Sequence, residues 1–422
     1  MTEQEVLDFI QENDVKFIRL AFVDMFGTLK NISIMPGELR RAFGGGISFD
    51  ASAVKGFTDV ARSELFLKPD LRTIAVLPWR PQSGRVARLW CDCVGPDGTL
   101  YEGYSRTILR RQVEKAREEG LFFTLGTEYE FYLFKQDENG DATLTPHDQA
   151  GYMDVAPLDR GENIRREICL SLEAMGIQPE CSHHEHGPGQ NEIDFKYASP
   201  LAAADNAMAF KSAVRTIASQ YGLHASFLPK PLMGDSGNGL HVNLSMERDG
   251  VNLFEWNGGE MAEEARQAMA GILRRIREIS LFLNPLPSSY RRLGEWEAPR
   301  YINWSYGNRS QCIRIPASAP GNGRMELRSP DPACNPYLAF ALILAAAMEG
   351  MRDKAPLQPP VENTGELPVD LNEAIREAQG SDFIRSVIPE SMLSRYVQEK
   401  QRTAARHEAD PKSVFQQHLR TI

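Results

Sequence analysis

The chain has 422 residues, 42% of them hydrophobic and 25% charged, with a formal net charge of −10. That length predicts more than one lobe around a large core. The acidic balance, without a long basic run, excludes nucleic acid or an anionic membrane as the principal partner.

The N-terminal "MTEQEVLDFIQEND" is acidic and amphipathic, and fits neither a secretory nor a mitochondrial leader. Short strand-like runs follow ("KFIRLAFVDM", "TIAVLPW", "VARLWCDCV"), separated by Gly, Pro and Asp turns. Turn-rich "GPDGTLYEG" over 95–103 predicts a boundary, giving a small β-rich N-terminal domain over 1–100 and a larger domain over 101–422. Beyond it, helices are predicted over 105–120 and 162–176, ended by Gly120 and Gly176, and over 201–222 and 260–283. The apolar run "YLAFALILAAAM" at 337–348 is too short to span a bilayer and predicts a buried helix stopping at Glu349-Gly350. Strands are predicted over 123–134, 191–197, 225–229, 240–246, 311–315 and 323–328, so the larger lobe is α+β. The six cysteines form no Cys-x-x-Cys and no zinc-like spacing, which predicts a reduced, cytoplasmic protein in which Cys91 and Cys93 are buried thiols.

The chemistry lies in the charged residues of the strands. In "LGTEYEFYLF", Glu128 and Glu130 are two apart and share one strand face. "SHHEHGPGQNEIDF" adds Glu185 in a loop and Glu192 as a strand begins, and "NGLHVNLS" places His241, Asn243 and Ser245 on one face. "GRMELRSPDP" does the same for Arg324, Glu326 and Arg328. An Arg-Glu-Arg strand can be a surface ion-pair ladder, but here a Pro-punctuated turn into a buried helix follows. Five carboxylates in one pocket repel by several kcal/mol unless cations neutralise them. Oxygen ligands with one imidazole suit Mg²⁺ or Mn²⁺. His183, His184 and His186 could suggest zinc, although adjacent loop histidines more often orient neighbours. Arg309, Arg314, Arg324 and Arg328 fall within twenty residues, and guanidinium forks match phosphate oxygens. Acids for divalent metal beside arginines for phosphate are the parts of phosphoryl transfer from a nucleotide. Neither a P-loop nor a dinucleotide-binding G-x-G-x-x-G occurs, so side chains and metals must hold the nucleotide.

Taken with "FVDMFGTLKN", "FDASAVKGF", "DLRTIAVLPW", "KPLMGDSGNGLHVNLS", "NRSQCIRIP" and "RMELRSPDPACNPYLAF", the chain resembles the glutamine synthetase family in its short bacterial type I form. The resemblance implies a β-grasp-like N-terminal domain and a catalytic domain with a curved antiparallel sheet flanked by helices. It implies ligation of glutamate to ammonia by ATP through γ-glutamyl phosphate, on two divalent ions, in a homo-oligomer of two stacked hexameric rings with sites between subunits. By position it assigns the ion nearer the glutamate to Glu130, Glu185 and Glu192, and the ion that bridges the nucleotide phosphates to Glu128, His241 and Glu326. Arg292, Arg328 and Gly237 match the glutamate site, Arg309 and Arg314 the phosphate arginines, and Arg324 and Ser245 the nucleotide contacts. Glu297 matches the flap carboxylate that deprotonates ammonium. Asp50 matches the acid reaching into a neighbouring subunit's site, with Tyr152 beside it.

The departures border the amine and glutamate pockets. They are Ser236, Ala51 and Ala53 beside Asp50, Ser288 in "SSY", and a flap, "YRRLGEWEAP", one residue short with Trp296 before Glu297. They leave room for a larger amine in place of ammonia, as in the γ-glutamyl-amine ligases that share this fold. A non-catalytic homologue and a metal-dependent phosphohydrolase are the other classes. Retained clustered acids oppose the first, and Arg292 with a flap carboxylate opposes the second.

Overall fold

The computed structural model describes residues 1–80, 82–255 and 261–422. The amphipathic N-terminus forms the helix Glu3–Glu12, which buries Val6 and Ile10 and is capped by Thr2 with Glu5 reaching back. Behind it a six-stranded sheet runs in the order Leu29–Ile34, Val15–Val23, Arg85–Val94, Glu64–Pro69, Ile47–Asp50, with Ala75–Val76 pairing Arg85–Val94. Val15–Val23 and Arg85–Val94 are parallel and the other pairs antiparallel. Cys91 and Cys93 are buried in this sheet, as predicted.

The second sheet is larger and has the long strand Phe122–Gln136 near its centre. Its order is Trp304–Tyr306, Ile313–Ile315, Met325–Leu327, Leu240–Arg248, Phe122–Gln136, Gln190–Ala198, Pro179–His184. It is antiparallel except where Trp304–Tyr306 pairs parallel with Ile313–Ile315, a short strand the sequence reading missed. The strand expected over 225–229 lies at Leu223–Ser226. Burial along Phe122–Gln136 alternates from Phe123 to Phe131. Tyr129 and Phe131 pack their rings on Phe210 of the helix Pro200–Gln220. The intervening Glu128 and Glu130 therefore face away from the helical layer, as period two requires.

The helices Ser105–Glu118, Glu162–Ala174, Pro200–Gln220 and Glu263–Leu283 lie where the sequence predicts them. Four more, Leu371–Gln379, Asp382–Val387, Glu390–Ala409 and Pro411–Thr421, were not anticipated. The buried helix does not stop at Glu349-Gly350 but continues to Arg352. Gly350 is there for contact. A Cβ on it would meet the Gln267 carbonyl at 2.2 Å, and one on Gly271 would meet the Ala346 carbonyl at 2.2 Å. The two helix backbones touch through these glycines. Gly271→Leu should therefore force the helices apart and lower stability by about 1–3 kcal/mol or more, read as a fall in denaturation midpoint; an unchanged midpoint would refute the contact.

Arg106, fully buried, joins the layers. It bonds Asp205 at 2.9 and 3.1 Å, Asp70 at 3.0 Å and Asp92 at 2.5 Å. Asp70 and Asp92 belong to the N-terminal sheet region and Asp205 to the helix behind the second sheet, so one guanidinium ties both lobes.

Candidate active site

Sheet register gathers the acids. Glu192 lies directly across from Glu130, and Glu128 is flanked by Asp194 on one side and His241 on the other. One strand further, Glu326 faces Asn243, and Arg314 faces Glu326. His183 pairs across from Glu192, with Glu185 in the loop just beyond. All sit on the face turned away from Phe210. Like charges directly opposite in a sheet are destabilising, so the arrangement has a cost that the fold alone does not explain.

Hydrogen bonds hold the acids apart. His241 Nδ1 is 3.1 Å from Glu128 and 3.8 Å from Glu326, and its Nε2 is 3.9 Å from Glu130. Asn243 donates to Glu128 at 2.7 Å, and the Gly239 backbone N–H donates to Glu130 at 2.7 Å. His183 Nε2 lies 2.9 Å from Glu185. Burial would raise Glu128, but the His241 hydrogen bond and charge, with Asn243 and Arg328, hold it down at about 2. Burial would also raise Glu185, which the bonds from His183 and the His186 backbone N–H overcome. Glu192 is different. Burial, then the carboxylates of Asp194, Glu130, Glu128 and Glu185, push it well above the carboxylate range. Asp194 is raised to about 6 by burial and Glu128.

The arginines come from the next strands. Arg314 pairs with Glu326 at 2.7 Å, Arg328 with the same carboxylate, and Arg328 lies 3.8 Å from Glu297 of the flap. Arg292 is buried and donates to the carbonyls of Ser329 and Arg328 at 2.9 and 3.0 Å. Gly237 lets it sit there, since a Cβ would meet the Pro229 carbonyl at 2.4 Å and Arg292 Cγ at 2.9 Å. Arg324 donates to Asn243 at 3.0 Å. Arg292, Arg314, Arg324, Arg328 and Gly237 line a cleft of about 440 Å³ with Glu128, Glu130, Glu185, Glu192 and His241, and Arg309, Tyr152 and Glu297 also border it.

Three assigned residues lie outside that lining. Glu326 is buried behind it, under Arg314 and Arg328. Ser245 bonds Asn252 and the Gly323 carbonyl instead. Asp50 ends a strand of the N-terminal sheet, exposed, with its carboxylate bonded to Ser52. The three histidines do not converge as zinc ligands: His184 bonds Asp148 at 2.9 Å and His186 stacks on Tyr152. Sequence reasoning missed Asp194, although it stands two residues from Glu192 and carries the same period-two signal. It also missed Gln190, whose amide bonds Asn238 and the Gly237 carbonyl at 3.0 and 3.1 Å.

The donor set suits hard divalent cations. Glu128, His241 and Glu326 place ligand atoms within 4.8 Å of one another, as do Glu130, Glu192 and His241, and His183, Glu185 and Glu192. Among the described residues, no lysine or arginine pairs with Glu128, Glu130, Glu185 or Glu192. Buried acids left this way are stabilised by bound cations.

Residues 102–417 match the model of the glutamine synthetase catalytic domain, and 14–96 that of the glutamine synthetase beta-Grasp domain. The chain belongs to the glutamine synthetase family. Glutamine synthetase of Clostridium saccharobutylicum is 43% identical over 415 residues, covering 94% of this chain and 93% of that one. The Methanosarcina mazei glutamine synthetase is 44% identical over 413 residues, covering 94% and 92%. Among solved structures, a GmaS/ADP complex superposes with a TM-score of 0.87 at 28% identity over 96% of each chain. Plasmodium falciparum glutamine synthetase shares the fold, with a TM-score of 0.88 at 24% identity over 97% of each. This glutamine synthetase family chain is thus a ligase with the β-grasp and catalytic parts of that family. No helix among the described residues is long and apolar enough to cross a membrane.

Proposed function

We propose that the protein joins L-glutamate to ammonia, with ATP converting the γ-carboxylate to an acyl phosphate, in the cytoplasm. The observation that carries this is the row of acids on one sheet face meeting arginines from the adjoining strands across one cleft. Glu130, Glu185 and Glu192 would hold one divalent ion and Glu128, His241 and Glu326 the other, Mg²⁺ or Mn²⁺. When bound, such ions neutralise the acids and draw charge from phosphoryl oxygens. Arg292 and Gly237, with His241 nearby, bind glutamate. Arg309, Arg314 and Arg328 grip the transferring phosphoryl group bidentately, and Arg324 and Ser245 contact the nucleotide. Glu297, beside Arg328, excludes water and takes the proton that makes ammonium a nucleophile. Asp50 completes a neighbouring subunit's site with Tyr152. The working unit is then an oligomer, with the two domains divided near residue 100 and twelve subunits in two rings.

A second reading, a larger amine as acceptor, is favoured by one feature. Tyr152, His186 and Trp296 stack in a row along the cleft, at 4.7 and 6.1 Å between ring centres. Such a wall can seal a pocket for ammonia or receive an alkyl chain. ADP release with ATP, Mg²⁺ and glutamate should be compared across ammonia, alkylamines, polyamines and amino alcohols at fixed free amine. Ammonia is expected to give the highest kcat/KM. If an alkylamine were the substrate, each accommodated methylene would contribute about 0.8 kcal/mol, and efficiency would climb with chain length before falling. An optimum at any larger amine would overturn the ammonia assignment.

A further inference from the structure

Trp296 of the flap is 57% exposed, and its backbone φ of +51° lies in the left-handed region that a residue with a β-carbon disfavours. An exposed indole on a disfavoured backbone persists only where its surroundings hold it. What holds it is a column of rings. The indole lies 6.1 Å from the His186 ring at 29°, and His186 lies 4.7 Å from the Tyr152 ring at 19°, both stacked. His183 meets Tyr152 edge-on at 5.4 Å. The base of the column is tied to the acids of the site. His183 Nε2 lies 2.9 Å from Glu185, and the His186 backbone N–H donates to the same carboxylate at 3.0 Å. Trp296 and its three partners all line the catalytic cleft.

The rest of the flap turns about this ring. The Gly294 N–H donates to the Ala298 carbonyl at 3.2 Å and the Ala298 N–H to the Glu295 carbonyl at 3.0 Å, which makes 294–298 a tight loop. On one side of Trp296, Glu295 comes within 4.0 Å of Lys230; on the other, Glu297 comes within 3.8 Å of Arg328. Both carboxylates are more than half exposed. An exposed pair at that separation restrains a side chain weakly, whereas stacked rings add to the area they bury. We propose that Trp296, seated on His186, is the positioning residue that keeps Glu297 at Arg328 and keeps water out while the acyl phosphate exists. The role presupposes ligation through that acyl phosphate, as proposed for the site. If the column opens, water takes the place of the amine. Its oxygen attacks the γ-carbonyl carbon, the bond from that carbon to the phosphoryl oxygen breaks, and solvent takes the proton. Glutamate and phosphate then leave, and ATP is consumed without an amide. Of the two roles open to the ring wall, Trp296 has the sealing one.

The test compares ADP release with amide formation in the full-length protein, given ATP, Mg²⁺ and glutamate, with and without amine. Trp296→Gly accepts the left-handed backbone without strain and removes only the ring. It should release ADP without amine about three- to tenfold faster than the wild type, and ligate about three- to tenfold more slowly. These opposite movements separate positioning from simple damage, which lowers both rates. His186→Ala keeps its backbone bond to Glu185 and should behave like Trp296→Gly. If the two rings act as one unit, the double variant should be no worse than either alone. Trp296→Phe can still stack and should stay coupled. A fall in both rates together, additive losses in the double variant, or wild-type coupling in Trp296→Gly overturns the role. So does a coupled Trp296→Gly that prefers a longer amine than the wild type, which would make the ring a pocket wall. A wild type that forms no amide with any amine overturns the ligation reading, and the role with it.

Discussion

Glu192→Gln should leave a folded protein that is more heat-stable without divalent cations than the wild type, yet without measurable ligase activity. Glu192 is buried among Asp194, Glu130, Glu128 and Glu185, and no lysine or arginine among the described residues offsets it. Its carboxyl is raised well above the usual range by burial and these neighbours. A raised carboxyl contributes stability at low pH and loses it as pH rises through the folded value, so at neutral pH the metal-free wild type carries a cost the amide does not. The metal-free melting temperature should therefore rise by about 1 °C or more, and the gap should widen with pH. Added Mg²⁺ should stabilise the wild type by linkage and leave Glu192→Gln almost unmoved. Loss of a ligand to one of the two divalent ions costs several kcal/mol at the transition state, on the order of a thousandfold in rate. A variant that keeps both its Mg²⁺-dependent melting shift and near-wild-type ADP release would sink the metal assignment. Glu326 is not an equivalent choice. It neutralises Arg314 and Arg328, so Glu326→Ala should lose stability as well as activity.

Asp50→Ala and Glu130→Ala, each inactive alone, should regain activity together after subunit exchange. In its own chain Asp50 sits on the N-terminal sheet, exposed and bonded to Ser52, and does not border the cleft. If it acts in catalysis, it must act across a subunit boundary on the Glu130 of another chain. In equal mixtures, one heterologous site in four carries both intact residues, so recovery should approach about one quarter of wild-type activity. Mixed oligomers shown by mass to contain both variants, but still inactive, would place Asp50 outside the site. A monomer in light scattering would do the same.

Much of the fold was written in local patterns. Alternation in 122–136, glycine stops at Gly120 and Gly176 and the apolar run at 337–348 each report on near neighbours in the chain, where period and sterics decide. What escaped was non-local. Gly350 reads as a helix stop until Gly271 is brought against it, and Trp304–Tyr306 is too short to announce itself before Ile313–Ile315 offers a partner.

For the site, the sequence by itself determined which residue types recur at period two, and so which acids share a face: Glu128 with Glu130, and Glu192 with the overlooked Asp194. Register between strands is invisible in that pattern, because it depends on turns and packing far along the chain. Only the tertiary structure decided that Glu192 faces Glu130, that His241 lies between Glu128 and Glu326, and that Arg314 and Arg328 share Glu326. It also decided that Ser245 and Asp50 stand apart from their own chain's cleft. The periodicity of a strand follows from its own backbone geometry, whereas the approach of two charges depends on where the rest of the chain places the strands that carry them.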